Sequence, residues 1–295
     1  MMRLNAEFQA HLASGATTLC RCWLLLRADG VSFGFTDHDC DLGFDGIIFK
    51  ADSGLSAAAL QQATGLSVDN TEAVGALSDA GVREADIEAG RFDDATVRCW
   101  LVNWADTGQR ALQFNGYLGE LTRSGGSFRA ELRGLTDRLN QPLGRVYQKP
   151  CAAVLGDTAC GVDLTTAGYG VEIAAEQVED SRMFRFAAIA GFETGWFRRG
   201  RLDVTHGAAT GLSGVIKNDF AADGRRVIEL WAPLRADVSA GDGLQLIAGC
   251  DKRLETCRLK FDNIANFQGF PDIPGDDWTV SYPASASVTS GGSRR

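Results

Sequence analysis

The chain has 295 residues, a net charge of −9, 35 glycines and eight cysteines. That length supports a full core and more than one domain, so it is not a small scaffold that needs stapling. The acidic balance, with no basic run to track phosphates, disfavours direct nucleic-acid binding and anionic membranes, and no apolar stretch is long enough to cross a bilayer as a helix.

Glycine stands at roughly twice its usual share and helix-period stretches are few, which predicts a mainly β (α+β) protein built from short strands and turns. The first eleven residues mix charged and polar side chains and lack the apolar core of a secretory signal, so synthesis in the cytoplasm is expected. In a reducing compartment, eight cysteines are thiols or metal ligands before they are disulfides.

Leu4, Phe8 and Leu12 recur at helical spacing. Thr17 to Arg27 then has the composition of a strand, turned by Asp29-Gly30 into Val31 to Thr36. Cys20 and Cys22 share one face of that strand, where a free cysteine usually acts as a small buried hydrophobe. Thr36-Asp-His-Asp-Cys-Asp-Leu42 offers three carboxylates, an imidazole and a thiol. Asp37, His38 and Asp39 could serve a hydrolase, but the other histidines are His11 and His206 and no Gly-x-Ser-x-Gly elbow is present, so a structural turn or subunit contact is the favoured reading.

Short apolar runs from Phe44 to Asn70 suggest more strands, Thr71 to Ala80 is ambiguous, and Arg83 to Gly90 reads as a brief helix ended by glycine. Ala95 to Trp104, Leu112 to Arg123 and Ser127 to Leu135 alternate as an antiparallel meander, with Gly125-Gly126 as a hairpin turn. Trp100, Val102 and Trp104 share a face and are read chiefly as core. A short helix is expected over Leu135 to Asn140, followed by an extended connector, Gln141 to Pro150. Six further strands, Val171–Ala175, Met183–Phe186, Arg201–Thr205, Leu212–Asn218, Arg226–Trp231 and Leu244–Ile247, predict a small β-barrel or sandwich. Phe192, Trp196 and Phe197 either cap that barrel or form a contact surface.

The expected organisation is a β-rich domain over 1–147, a cysteine segment over 148–165, the inserted barrel over 166–248, a second cysteine segment with an irregular loop over 249–283, and a disordered tail over 284–295. Two cysteine pairs, Cys151/Cys160 and Cys250/Cys257, therefore bracket a complete module. Good helix formers between Cys250 and Cys257 predict two helical turns with both sulfurs on one side. If the ends of the module meet, four thiolates gather at one place, as a four-cysteine metal-cluster region requires. Structural zinc usually takes one tight knuckle, and both gaps here are wider. Lys252, Arg253, Arg258 and Lys260 would balance the negative charge of a thiolate-bound centre. A 4Fe-4S cluster is favoured, with zinc as the alternative.

Cys151 to Leu164, with its Leu-Gly-Asp and Cys-Gly-Val-Asp-Leu elements, and Gly249 to Gly275, with its Asn-Phe-Gln-Gly-Phe-Pro segment, resemble the tail hub family of siphophages and gene transfer agents. Gly34-Phe-Thr-Asp-His-Asp39 and Arg83 to Gly90 resemble the same family. The C-terminal cysteine segment is also similar to the tail tip protein of lambda-like phages, a resemblance that implies a 4Fe-4S cluster on Cys151, Cys160, Cys250 and Cys257.

The resemblance further implies a structural hub in the tail baseplate of a virion or gene transfer agent particle, held between a ring of distal tail protein and a central fibre-bearing protein. A homotrimer around a channel, a neighbouring tail peptidase, and passage of DNA through the lumen without specific binding follow from the same likeness. An acidic lumen would not hold DNA by its phosphates. The competing reading is an enzyme, either a hydrolase at Asp37-His38-Asp39 or a redox protein using the cluster, although no Gly-rich dinucleotide fingerprint is present.

Overall fold

The computed structural model describes residues 5–51, 56–57, 70–76, 83–124, 127–135 and 144–273, in two compact units, Met1–Pro142 and Leu143–Arg295. The expected helix over Leu135 to Asn140, the Gly125-Gly126 turn and the tail from 284 lie wholly or largely outside the described residues. The units divide at Pro142, ahead of the boundary expected at Tyr147.

The first unit opens with helix α1 (Ala6–Ala13), whose Asn5 cap accepts a hydrogen bond from the Glu7 N–H at 3.3 Å. Its strands are β1 (Leu19–Leu26), β2 (Ser32–Thr36), β3 (Leu42–Phe44), β4 (Ile47–Lys50), β5 (Ser56–Ala57), β6 (Asn70–Ala76), β7 (Thr96–Asn103), β8 (Arg110–Ser124) and β9 (Ser127–Gly134), with helix α2 (Glu84–Glu88) between β6 and β7. They form one sheet in the order β3-β4-β2-β1-β7-β8-β9-β6-β5. Neighbours run antiparallel except β2 and β4, which are parallel.

Strand β1 is covered on both faces. Cys20, Cys22 and Leu24 pack with Phe44, Phe49 and Val102, while Trp23 packs on the other side with Phe35, Cys99 and Phe114. Burial pushes the Cys99 thiol up to about 12, which keeps it neutral. Trp100 leans on the Cys22 cluster as expected, whereas Trp104 is 42% exposed and meets the His38 ring edge-on at 5.0 Å.

The second unit contains β10 (Gly170–Ala174), β11 (Gln177–Glu179), β12 (Met183–Phe186), β13 (Arg201–Val204), β14 (Ser213–Ala222), β15 (Arg225–Leu230) and β16 (Gly243–Ile247), in the order β10-β16-β13-β14-β15-β12-β11. Seven strands laid flat would span about 29 Å at the usual spacing. Yet the two edge strands are consecutive in the chain, and the step from Ala174 to Gln177 reaches about 10 Å at most. The sheet must therefore curl into a partly closed barrel around Phe184, Phe186, Leu202, Ile216, Ile228 and Leu244. Six of its strands match the sequence expectation; β11 had no signal.

One ionic pair lies inside this barrel's wall. Arg226 donates from Nε and Nη2 to the two carboxylate oxygens of Asp219 at 2.8 and 2.7 Å, and both residues are under a tenth exposed. Arg226 also donates to the carbonyls of Phe192 and Glu193, and Asp219 accepts the Phe197 N–H at 3.0 Å. The 192–197 loop is thus hung from the pair, with Phe197 buried and Phe192 and Trp196 packed against the core. These rings cap the barrel. Asp219→Ala leaves the guanidinium buried without its counter-charge, so a loss of about 3–5 kcal/mol is expected in chemical denaturation of the variant.

Candidate metal centre

The four candidate cysteines lie in one unit, and each is placed by a different local device. Cys151 is pinned in an extended segment: its N–H donates to the Lys252 carbonyl at 2.9 Å, and the next N–H, of Ala152, to the Gln268 carbonyl at 3.3 Å. Cys160 ends a turn organised by Asp157, whose carboxylate accepts the Cys160 N–H at 2.6 Å and the Val154 N–H at 2.8 Å. Those N–H groups, Cys160 first, hold the Asp157 carboxyl below its usual range. The turn depends on Gly156, with φ of +83°, where a Cβ would lie 2.6 Å from Leu164.

Cys250 follows Gly249, a position at which a Cβ would fall 1.7 Å from the Arg198 carbonyl oxygen. Only glycine allows this approach. Cys257 lies on helix α3 (Leu254–Leu259) and is buried. The expected two-turn helix from Cys250 to Cys257 is corrected here: the helix begins at Leu254, and Lys252 has a φ of +67°. The Lys252 carbonyl is taken by Cys151, and its Nζ by the Ala153 carbonyl, so the segment between Cys250 and the helix follows the first cysteine segment instead of coiling.

The sulfurs nevertheless converge. Cys151, Cys160, Cys250 and Cys257 line a single small cavity, closed by Leu155, Val162, Phe261 and Phe267. All four are free thiols. Burial pushes the Cys250 and Cys257 thiols up, and for Cys257 the other three sulfurs add to the effect. Among the described residues no three of the four sulfurs come within 4.8 Å of one another. Four thiolates on one zinc ion would stand about 3.8 Å apart, given the zinc–sulfur bond length and tetrahedral angle. Four cysteine thiols lining one cavity are a donor set that a thiolate-ligated metal centre could use.

Hydrogen-bond donors already face the sulfurs. The Gln268 N–H lies 3.4 Å from Cys151 Sγ, and Asn263 Nδ2 lies 3.7 Å from Cys160 Sγ while donating to the Cys160 carbonyl at 2.6 Å. Asn263 also accepts the Cys257 thiol through its backbone carbonyl at 3.2 Å, so one residue spans both pairs. Nothing in the sequence marks Asn263 out from the other residues of the irregular loop, since asparagine is common in any turn. The sequence places Lys260 with Lys252, Arg253 and Arg258 as a local balance for an anionic thiolate centre. In the fold Lys260 is fixed, donating to the Trp196 and Gly249 carbonyls at 2.5 and 2.9 Å over the Trp196 ring, and burial pulls it down to about 8.

Asp37-His38-Asp39 is organised as a turn. Asp37 accepts the Arg21 N–H at 2.6 Å, His38 Nδ1 accepts the Cys40 N–H at 2.9 Å, and Asp41 accepts the Ala51 N–H at 2.9 Å. His38, Asp39 and Cys40 do bring three ligand atoms within 4.8 Å, but Asp39 and Cys40 are exposed and the imidazole nitrogen facing them is already an acceptor.

Because Cys250 and Cys257 ionise less readily in the fold than in the unfolded chain, the metal-free protein keeps its stability below the ordinary thiol range. It loses stability as pH rises through and above that range. Urea melting of chelator-treated protein from pH 6 to about 10 should show this decline, together with alkylation of both thiols displaced to higher pH than in the unfolded chain. A stability that rises across that interval would contradict the placement of these thiols.

The model of the baseplate hub protein N-terminal attachment domain matches residues 5–163, and that of the phage conserved hypothetical protein BR0599 matches residues 195–277. A search of curated proteins finds no match. A solved chain from the virion of a native gene transfer agent particle is 56% identical, covering 98% of this chain and 99% of that one with a TM-score of 0.90. With a match over more than half its length, the chain belongs to the baseplate hub protein family and is a component of a virion tail.

Proposed function

We propose that the chain is the structural hub at the distal end of a gene-transfer-agent-like tail, joining the distal tail ring to the central fibre-bearing protein, with a 4Fe-4S cluster on Cys151, Cys160, Cys250 and Cys257. The observation that carries the reading is the shared cavity: two cysteine pairs separated by an entire barrel reach one place, with amide donors facing the sulfurs. The virion chain, similar over its whole length, supports the particle context. When bound, such a cluster supplies a four-point anchor between the two cysteine segments. The protein's own part is positional: Asp157 sets Cys160, Gly249 lets Cys250 approach, and Asn263 ties Cys160 to Cys257.

The hub would assemble as a homotrimer around a channel through which DNA passes, near a tail peptidase that does the wall cutting. Its own role is structural, without turnover. Of Asp37, His38 and Asp39, the residues a hydrolase would use, the first two are engaged with backbone N–H groups of their own turn and strand.

Anaerobically purified protein should be brown, bleach with dithionite and contain about four irons per chain. A colourless protein with one zinc would overturn the cluster and leave the hub. Cys257→Ser should lose the metal and yield particles lacking the fibre-bearing protein. Normal particles from that variant would sink the anchoring role. Native mass spectrometry should give a trimer.

A further inference from the structure

A second cavity, of about 350 Å³, is lined by Arg198, Arg199, Arg253 and Lys260, with Asp251 as the one acid among its lining residues. A net positive pocket is unexpected on a chain with a net charge of −9. Its cations are only partly engaged. Arg199 Nη1 reaches the Asp251 carbonyl at 3.4 Å, Arg253 Nε stands 3.8 Å from the Asp251 carboxylate, and among the described residues the Arg198 side chain has no hydrogen-bond or ion-pair partner. Next to Gly195 in the wall, Trp196 carries a buried indole N–H with no acceptor.

Neutralising the thiol centre does not account for all of these groups, although Lys260 feels the charge of Cys250. Lys252 and Arg253 line the sulfur cavity, whereas Arg198, Arg199 and Lys260 line only the second one. The pocket is also held open before anything enters it. The Asp219–Arg226 pair fixes the 192–197 loop, Lys260 is anchored on two carbonyls, and Gly249 lies against the Arg198 backbone. Guanidinium groups with N–H donors to spare, beside a fixed ammonium, suit a compact oxyanion, which they can grip by paired N–H donors.

We infer that this pocket is a binding site for a carboxylate carried by an acidic segment of an adjoining tail subunit. A nucleic acid would meet the chain's overall negative charge along its length and finds no track in one concave site, whereas a short acidic segment can place a carboxylate inside the pocket. The pocket rests on its geometry alone; the choice of a tail subunit as the source rests on the hub reading.

The full chain, metal-loaded as purified, is titrated at constant ionic strength with inorganic phosphate and with a hexaglutamate peptide, followed by tryptophan fluorescence and calorimetry. Both ligands should saturate above a chloride control. Arg198→Gln should weaken both by about tenfold or more, as expected for a lost charge-assisted hydrogen bond, with unchanged metal content. If neither ligand saturates there is no site, and if phosphate alone does, the occupant is a free anion and the carboxylate assignment is overturned. Loss of metal in Arg198→Gln would show that the cations serve the thiol centre, and a DNA oligonucleotide that binds wild type but not the variant would replace the peptide as ligand. A chain that binds the peptide yet never enters particles would keep the pocket but overturn the hub reading, and with it the subunit as source.

Discussion

The buried pair of Asp219 and Arg226 is the constraint from which the second unit's functional surface follows. Neither residue is available to solvent, so the guanidinium must be satisfied inside the protein, and the groups it finds are the carbonyls of Phe192 and Glu193. That requirement fixes the 192–197 loop. The loop in turn presents Trp196, whose carbonyl accepts both the Gly249 N–H at 3.0 Å and the Lys260 ammonium. Gly249 is one residue from Cys250 and Lys260 three from Cys257. An interaction within the barrel wall therefore reaches the cysteine segment through two short hydrogen-bonded steps.

The curling of the barrel has a second consequence. Because β10 and β16 pair edge to edge, with Gly170 opposite Ile247, the chain enters and leaves the module side by side. The segments flanking it, which carry Cys160 and Cys250, start from neighbouring positions. Convergence of the sulfurs is thus a property of the sheet's connectivity before it is a property of the cysteines. A cross-link across the intervening stretch of about 90 residues would restrict the unfolded chain by about 4–5 kcal/mol in the chain-entropy treatment.

Much of this was legible in the residues, because alternation of apolar side chains is a direct record of which face of a strand is buried. Phe184 and Phe186, or Leu244 and Leu246, are two apart and both fully enclosed. Strand β11 escaped notice because three residues, with only Val178 packed on the core, carry no period. The helix between Cys250 and Cys257 was misjudged for a tertiary reason. Intrinsic preference favoured coiling, but the Lys252 carbonyl and ammonium are both bound to the Cys151–Ala153 segment, and that pairing outweighs a propensity difference of a fraction of a kcal/mol per residue. The pocket cations could not be grouped from sequence, since Arg198 and Arg253 meet only after the barrel is closed.

Seven of the eight cysteines, all but the exposed Cys40, divide by environment in a way that residue type alone does not reveal. Cys20, Cys22 and Cys99 are enclosed by aliphatic and aromatic side chains on the two faces of a sheet, where a thiol has only weak hydrogen bonds to make and behaves as a small apolar group. Cys151, Cys160, Cys250 and Cys257 face a common space with N–H donors at two of the sulfurs and the Lys252 and Arg253 side chains at its edge. Donors and positive charge stabilise a thiolate, whereas the dry wall of Leu155, Val162, Phe261 and Phe267 penalises one that has no cation to bind. A site that both favours and penalises the same charge would be resolved by a metal that supplies the missing positive partner, and that balance is what would set the proposed ligand set apart from a cluster of core cysteines.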